Sequence, residues 1–248
     1  MNPGLLVPHW EAPATVRAAC TLRTGGVSVA PFESLNLGGH VGDEPDAVAE
    51  NRRRVGSALS LPREPLWLAQ VHGTRVADAD TGTEAGSADA AVSRQRGRVL
   101  AIQVADCLPV LFASNDGAVV AAAHAGWRGL CAGVLEAAVA AMGVEPRRIV
   151  AWLGPAIGPE HFEVGEEVRA AFLAHDPRAA DAFVGNARGR WQCDLLHLAQ
   201  QRLAALGLGG VSAAHLCTYS ASERCFSYRR DGRTGRMAAL IWRTETAP

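Results

Sequence analysis

The sequence predicts a mixed α/β protein built as a layered sandwich, with mixed and partly antiparallel sheets. Three observations lead to this class. Apolar runs of strand length recur along the chain, and helical patterns lie between them. In addition, Asp116-Gly117 joins two apolar runs in the way that a tight β-hairpin requires. Because a hairpin makes its two strands antiparallel, a purely parallel, doubly wound sheet is disfavoured.

The predicted strands lie at 15–22, 65–71, 99–104, 109–113, 118–123, 148–153 and 237–242. The predicted helices lie at 45–59, 129–142, 164–175 and 194–206. The first helix has proline in its first turn after Asp43, and the second stops at Gly143, which are common start and stop signals. No repeat, low-complexity tract or long linker divides the chain. We therefore expect a single domain over residues 1–248.

The composition excludes several functions. The chain has 248 residues, 48% of them hydrophobic, and a formal net charge of -1. So small a charge creates no broad field that would attract nucleic acid or an anionic membrane, and we expect neither partner. The sequence contains no lysine. A pyridoxal Schiff base, a lysine nucleophile and a Walker loop are therefore excluded.

The N-terminus and the cysteines indicate a cytoplasmic protein. Residues 1–20 lack the charged start, long apolar run and cleavage site of a secretory signal. No stretch approaches the roughly 20 uninterrupted apolar residues of a membrane span. The six cysteines include no CxxC pair, which is typical of reduced thiols rather than a disulfide framework. We expect a soluble protein in the cytoplasm, and the sequence leaves its oligomeric state open.

Three apolar runs end on residues that can bind a metal. The segments QVHG, QVADCLP and AHAGWRG contain His72, Cys107 and His124, each followed closely by glycine or proline. Two imidazoles and a thiolate suit Zn²⁺, and three protein ligands leave a fourth position for water or substrate. The spacing matches no short metal motif, however, so hydrogen-bonded core histidines and a buried thiol remain an alternative. Asp106 should point away from Cys107 and orient an imidazole or a helix end.

The order of motifs resembles the YfiH-like laccase-domain family over almost the entire chain. The resemblance rests on the segments TLRTGGVS, FESLNLGGHVGD, ENRRRV, QVHGTRV, ADAAVS, VADCLPVLF, AAHAGWRGL, LGPAIGP, FEVGEEV and FSYRRDGRTGR. It implies that His72, Cys107 and His124 bind zinc. It also implies a layered α/β fold comparable to that of cysteine hydrolases.

The family resemblance implies several activities. They are phosphorolysis of adenosine, inosine, guanosine and methylthioadenosine, deamination of adenosine, oxidation of polyphenols, and editing of peptidoglycan precursors. The chain has eight histidines and no HxH pair, so it cannot build the trinuclear copper centre of a true laccase. A blue-copper site also needs an axial ligand, usually Met, and neither Met142 nor Met237 closely follows Cys107. The P-C-x-x-C motif of zinc nucleobase deaminases is missing, so deamination would need another scaffold.

Phosphorolysis requires phosphate-binding side chains, which we assign to arginines. Arg128 lies four residues after His124, and Arg52 and Arg23 lie in family-like segments. Planar guanidinium groups bind phosphate through paired hydrogen bonds. A structural salt bridge would explain Arg128 equally well. Asn36 is the candidate for binding ribose hydroxyls or phosphate, although an asparagine in this context is more often a turn residue.

The leading hypothesis is a zinc-dependent purine nucleoside phosphorylase with adenosine deaminase side activity. Its partners would be a nucleoside and inorganic phosphate, and its catalytic residues His72, Cys107, His124 and Arg128. Three alternatives stay open. Cys107 could be the nucleophile of a hydrolase or amidase that edits peptidoglycan precursors, with a histidine as general base. The protein could be a polyphenol oxidoreductase that binds Cu²⁺, or a non-catalytic scaffold around a closed zinc site.

Overall fold

The computed structural model describes residues 2–81 and 86–244. The strands are β1 (Leu5–Leu6), β2 (Val16–Thr21), β3 (Leu66–Trp67), β4 (Val76–Asp78), β5 (Ala90–Ser93), β6 (Leu100–Val104), β7 (Leu108–Ser114), β8 (Val120–Ala125), β9 (Ile149–Leu153), β10 (Glu163–Val164), β11 (Phe183–Gly185), β12 (Trp191–Cys193), β13 (Gly210–Ala213) and β14 (Met237–Arg243). The helices are α1 (Pro45–Ala58), α2 (Trp127–Ala132), α3 (Val134–Met142), α4 (Glu166–His175), α5 (Leu195–Leu206) and α6 (Tyr228–Asp231).

The strands form mixed sheets, which confirms the predicted fold class. A five-stranded sheet has the order β1-β2-β14-β6-β3, and a six-stranded sheet has the order β13-β9-β7-β8-β5-β4. A three-stranded sheet, β10-β12-β11, is separate from both. Most neighbours are antiparallel, but β3 runs parallel to β6, β4 to β5, and β13 to β9. Strands β7 and β8 pair antiparallel around Asp116-Gly117, so the predicted hairpin is confirmed.

The two large sheets pack face to face, and helices cover their outer faces. On β7, Leu111 and Ala113 belong to a core shared with β6 and β14 of the five-stranded sheet. Val110 and Phe112 alternate with them and pack in a second core with α2, α3, α4 and α5. Helix α1 covers the opposite face of the five-stranded sheet through Val55. Because side chains alternate along a strand, every residue of β7 is buried, and the layers are helix, sheet, sheet and helix.

The predicted elements match the structure except where short elements or backbone turns intervene. The helix predicted at 129–142 is two helices, because Gly133 adopts φ 104° between them and ends the first helix. The strand predicted at 65–71 reduces to Leu66–Trp67, after which the chain enters a loop. Sequence analysis missed β5 in the segment ADAAVS, as well as most strands of two to four residues. A single domain over residues 1–248 stays a prediction.

Among the residues described, no helix is long and apolar enough to cross a membrane. None of the six cysteines forms a disulfide bond in the structure.

The burial of β7 predicts how a substitution in this strand changes the stability of the protein. The Phe112 side chain has no exposed surface, so Phe112→Ala should lower the free energy of unfolding by about 3–5 kcal/mol through lost burial and cavity formation. Urea unfolding monitored by circular dichroism measures this change. Val184→Ala is the control because Val184 is 67% exposed, and it should change stability by less than about 0.5 kcal/mol. Equal effects of the two substitutions would contradict the packing described.

Candidate metal centre

The structure brings His72, Cys107 and His124 together at one end of the two large sheets. His72 lies in the loop after β3, Cys107 between β6 and β7, and His124 near the end of β8. Their ligand atoms all lie within 4.8 Å of one another. Cys107 Sγ is 3.8 Å from His72 Nε2, and the two imidazole rings are 4.8 Å apart with their planes at 72°. His124 is buried, Cys107 is half-buried and His72 is exposed, so the group is open on one side.

A buried carboxylate, Asp89, fixes the loop that carries His72. Its oxygens accept backbone N–H bonds from Val71 at 3.1 Å, His72 at 2.8 Å and Gly73 at 2.7 Å. His72 adopts φ 62°, a left-handed conformation that costs energy for a residue with a side chain. The three hydrogen bonds from consecutive N–H groups offset this cost. Asp89 therefore holds His72 in a conformation that the free chain would rarely adopt.

Asp89 also orients His124. Asp89 Oδ1 lies 2.8 Å from His124 Nδ1, so this ring nitrogen carries the hydrogen and donates it to the carboxylate. Nε2 is then the nitrogen available to a metal, as in many metal sites where a carboxylate orients a histidine. Burial disfavours the imidazolium, but the Cys107 thiolate and Asp89 outweigh it and raise the pKa of His124 to about 9. The pKa of Asp89 falls, because these hydrogen bonds outweigh the effect of burial.

Cys107 is a thiolate in this environment. Burial alone would raise its pKa, but His124 and His72 favour the charged form and lower the pKa to about 6. A thiolate is the form in which cysteine binds a metal. Gly126 allows the three ligands to approach, because a Cβ at this position would lie 2.8 Å from the His72 ring and 2.9 Å from Cys107 Sγ.

The residues present fit a zinc ion. Two imidazoles and a thiolate are common zinc ligands, and three protein ligands with an open side are typical of a catalytic site. Cu²⁺ also accepts these ligands, so the donor set alone does not fix the metal. Within residues 2–81 and 86–244 the triad is the single group of this kind. The described residues therefore provide one metal site and no multi-copper centre.

The triad lines a cavity of about 360 Å³, which is within the usual range for small-molecule sites. His40, Tyr228 and Arg236 form one wall, and the same three residues line an adjoining groove together with Arg233. Arg236 Nη1 donates to the carbonyl oxygens of Thr234 and Gly235. These bonds hold a cationic side chain at the cavity next to the metal ligands.

The arginines and the asparagine predicted to bind substrate lie elsewhere or are already bonded. Arg128 is exposed, stacks on Trp127 at 4.4 Å and does not line the cavity. Arg23 donates to the carbonyl oxygens of Glu33 and Ser222. Both guanidinium bonds of Arg52 go to Leu37 O, and its side chain stacks on Trp67 at 4.0 Å.

Asn36 is fully buried, and its side-chain amide forms hydrogen bonds within the protein. The amide nitrogen donates to Gly38 O and Asp43 Oδ2, and the amide oxygen accepts from the N–H groups of Gly38 and Arg236. The geometry therefore corrects the assignment of Asn36, Arg23 and Arg128 to the substrate, because none has a polar group directed into the cavity. Arg52 contributes at most through its charge, which adds to the effects of burial and of Arg236 in lowering the pKa of the cavity residue His40.

Sequence reasoning missed four residues that form the site: Asp89, Arg236, His40 and Gln103. All except Gln103 lie in the segments on which the family resemblance rests. Those segments could therefore have indicated these three residues. Asp106 does point away from the triad. Its carboxylate binds Thr218 Oγ1 at 2.6 Å and the Arg229 N–H at 2.7 Å, which caps the start of α6 and does not contact an imidazole.

The contacts of Asp89 predict weaker metal binding in Asp89→Asn. An amide has one acceptor oxygen where the carboxylate has two, so the two hydrogen bonds that one of the Asp89 oxygens accepts are lost. Zinc affinity should fall about 10- to 100-fold, the usual effect of removing a residue that orients a metal ligand. Competition with a chromophoric chelator measures this affinity.

Asp116→Asn is a matched control, because Asp116 binds Ser114 and Arg148 at the hairpin and does not contact the triad. Its zinc affinity should equal that of the unsubstituted protein. An unchanged affinity in Asp89→Asn would refute the role assigned to Asp89.

Comparison with known proteins shows which family this chain resembles. Residues 17–244 match the family model described as multi-copper polyphenol oxidoreductase laccase. Purine nucleoside phosphorylase YfiH of Escherichia coli is 52% identical over 240 residues, covering 96% of this chain and 98% of the relative. Purine nucleoside phosphorylase PA4543 of Pseudomonas aeruginosa is 53% identical over 238 residues, covering 96% and 97%.

Solved structures show the same fold. Neisseria meningitidis protein NMB0706 superposes with a TM-score of 0.94 at 47% identity and covers 97% of this chain and 99% of its own. YlmD from Geobacillus stearothermophilus has a TM-score of 0.86 at 30% identity and covers 96% and 97%. The resemblance stated from the motifs is confirmed, and the chain belongs to the YfiH-like, laccase-domain family.

Proposed function

We propose that this protein is a zinc-dependent purine nucleoside phosphorylase acting on adenosine, inosine, guanosine and methylthioadenosine. One observation carries the proposal: the His72, Cys107 and His124 triad shares a cavity with the cationic side chain of Arg236. A nucleoside phosphorylase needs an anion-binding group beside the reacting sugar, and Arg236 is placed to be that group. Relatives that match this chain over nearly its full length are named purine nucleoside phosphorylases.

In phosphorolysis a phosphate oxygen bonds to C1′ of the ribose while the bond from C1′ to the purine nitrogen breaks. The bonding electron pair leaves with the purine, which takes up a proton, and the products are the free base and ribose 1-phosphate. Arg236 binds and orients phosphate through its guanidinium group. Burial, and the neighbouring charges of Arg236 and Arg52, lower the pKa of His40. The lowered pKa favours the neutral imidazole of His40, which can donate one N–H to the phosphate.

The role of the triad is to bind the metal. His72, Cys107 and His124 would hold Zn²⁺, which when bound supplies Lewis acidity at one open position. The loop fixed by Asp89 would hold the His72 ligand at the cavity. We include deamination of adenosine to inosine and ammonia as a side activity, because it requires only water and the same open site.

A second candidate function uses Cys107 as a nucleophile. The 3.8 Å separation of Cys107 Sγ and His72 Nε2 suits a cysteine and histidine pair, which would support a metal-free amidase acting on peptidoglycan precursors. The two functions differ in their dependence on metal. Polyphenol oxidation through several coppers is disfavoured, because the described residues provide one metal group.

The direct test is incubation of zinc-loaded protein with adenosine, with and without inorganic phosphate, followed by chromatography. We expect adenine that depends on phosphate, together with a smaller amount of inosine that does not. Cys107→Ala should lose both bound zinc and adenine release, while Cys131→Ala, a control on α2, should keep both. Phosphorolysis retained by Cys107→Ala would overturn the assignment.

Arg236→Met tests the phosphate site. Loss of a charge-assisted hydrogen bond to phosphate should raise KM for phosphate about 10- to 100-fold, with KM for the nucleoside changed far less. Steady-state kinetics at varied phosphate measures both constants. Arg128→Met tests the alternative that Arg128, and not Arg236, binds phosphate. Because Arg128 is exposed and does not line the cavity, its substitution should leave KM for phosphate unchanged. The opposite pattern would place phosphate at Arg128.

A further inference from the structure

The groove that adjoins the metal cavity carries a cationic side chain that the proposed reaction does not use. The groove has a volume of about 310 Å³, and its lining includes His40, Tyr228, Arg233 and Arg236. His40, Tyr228 and Arg236 also line the cavity of the triad, whereas Arg233 lines only the groove. The two spaces therefore share a wall, and Arg233 is the cation that distinguishes the groove from the cavity.

The side chain of Arg233 is held in place and still has donors for a ligand. Its Nη2 donates to the carbonyl oxygen of Gly42 at 2.9 Å, and its guanidinium group lies 5.0 Å from the centre of the Phe32 ring. Gly42 adopts φ 88°, and a Cβ there would lie 3.2 Å from Nη2. A guanidinium group has five N–H donors. Within residues 2–81 and 86–244 one of them is bonded, so the others can bind an anion.

No carboxylate among the described residues forms an ion pair with the arginines of the groove. The side chains of Arg233 and Arg236 donate to backbone carbonyl oxygens, which carry no net charge. Asp231 lies nearby in the chain, but its carboxylate pairs with Arg230. Burial lowers the pKa of His40, and the charge of Arg236 lowers it further. The groove therefore has a positive electrostatic potential.

The chemistry of the groove suits a phosphate group. Guanidinium groups bind phosphate oxygens through paired, charge-assisted hydrogen bonds. Tyr228 is 60% exposed and Arg233 is exposed, so an anion can reach the groove from solvent. Carboxylates accept the same bonds, but the reaction proposed for the adjoining cavity consumes phosphate. Phosphate is therefore the anion that both spaces have in common.

We propose that this groove binds a phosphate group, with Arg233 as the arginine specific to it and Arg236 shared with the cavity. The inference rests on the proposed function for the choice of phosphate as the anion. It deepens that function by naming a second arginine that binds phosphate. The phosphate is either the free ion or an ester on the nucleoside, and both present the same oxygens to Arg233.

Arg233→Met tests the groove without changing a residue of the cavity. Loss of a charge-assisted hydrogen bond at an exposed site should weaken phosphate binding about 3- to 10-fold. Affinity for adenosine, which has no anionic group, should change less than about twofold. Titration calorimetry of the zinc-loaded protein with inorganic phosphate, adenosine 5′-monophosphate and adenosine measures the three affinities. A loss for inorganic phosphate shows that the groove binds the free ion, and a loss for the monophosphate alone shows that it binds the ester.

Arg147→Met is the matched control, because Arg147 is exposed, pairs with Glu145 and does not line the groove. Its three affinities should equal those of the unsubstituted protein. The zinc content and circular dichroism of both variants are measured, so that equally loaded and folded proteins are compared. Unchanged affinities for inorganic phosphate and for the monophosphate in Arg233→Met would overturn the inference. An equal loss for all three ligands would also overturn it, because adenosine carries no anion.

Product analysis separates this inference from the proposed function. If the unsubstituted protein releases no base in the presence of phosphate, the proposed function fails. Selective loss of phosphate binding in Arg233→Met would still support the site in the groove. If the unsubstituted protein does release base, and Arg233→Met binds both phosphate ligands as tightly as before, the proposed function stands and this inference fails.

Discussion

The site depends on one buried carboxylate. Asp89 binds three consecutive N–H groups of the loop that carries His72 and also binds the ring of His124. The two histidines come from different parts of the chain, and Asp89 fixes the position of one and the ring orientation of the other. A buried charge is stable only when its partners are in place. The carboxylate and the two ligands therefore form a single cooperative unit, and the left-handed backbone at His72 is part of it.

The arrangement of sheets explains why this unit lies where it does. Cys107 is in the short connection between β6 of the five-stranded sheet and β7 of the six-stranded sheet. Asp89 precedes β5, which pairs with β8 so that Ala90 lies opposite Ala123, next to His124. The metal ligands therefore meet where the chain passes from one sheet to the other. The opening there is bordered by α6, whose start is fixed by Asp106, and the cavity lies beside Tyr228 and Arg236.

Sequence patterns predicted the features that depend on neighbouring residues along the chain. Long apolar runs marked β6, β7, β8, β9 and β14, and the resemblance to a family identified the triad. The arginine that we propose binds phosphate could not be found in this way. Arg23, Arg52 and Arg236 all lie in family segments and all donate to backbone carbonyls, and only the fold shows that Arg236 also lines the cavity of the triad. Asp89 was missed because three of its partners are backbone N–H groups, which leave no pattern in the sequence, and the fourth, His124, lies 35 residues away along the chain.

The proposed chemistry depends on the metal centre, because the cavity is lined by His72, Cys107 and His124. X-ray absorption at the zinc edge of the fully loaded protein measures the ligands of the bound ion. We expect one sulfur near 2.3 Å, two imidazole nitrogens near 2.0–2.1 Å and one further light atom from outside the protein. Four protein ligands, or a zinc shell without sulfur, would contradict the open site formed by His72, Cys107 and His124.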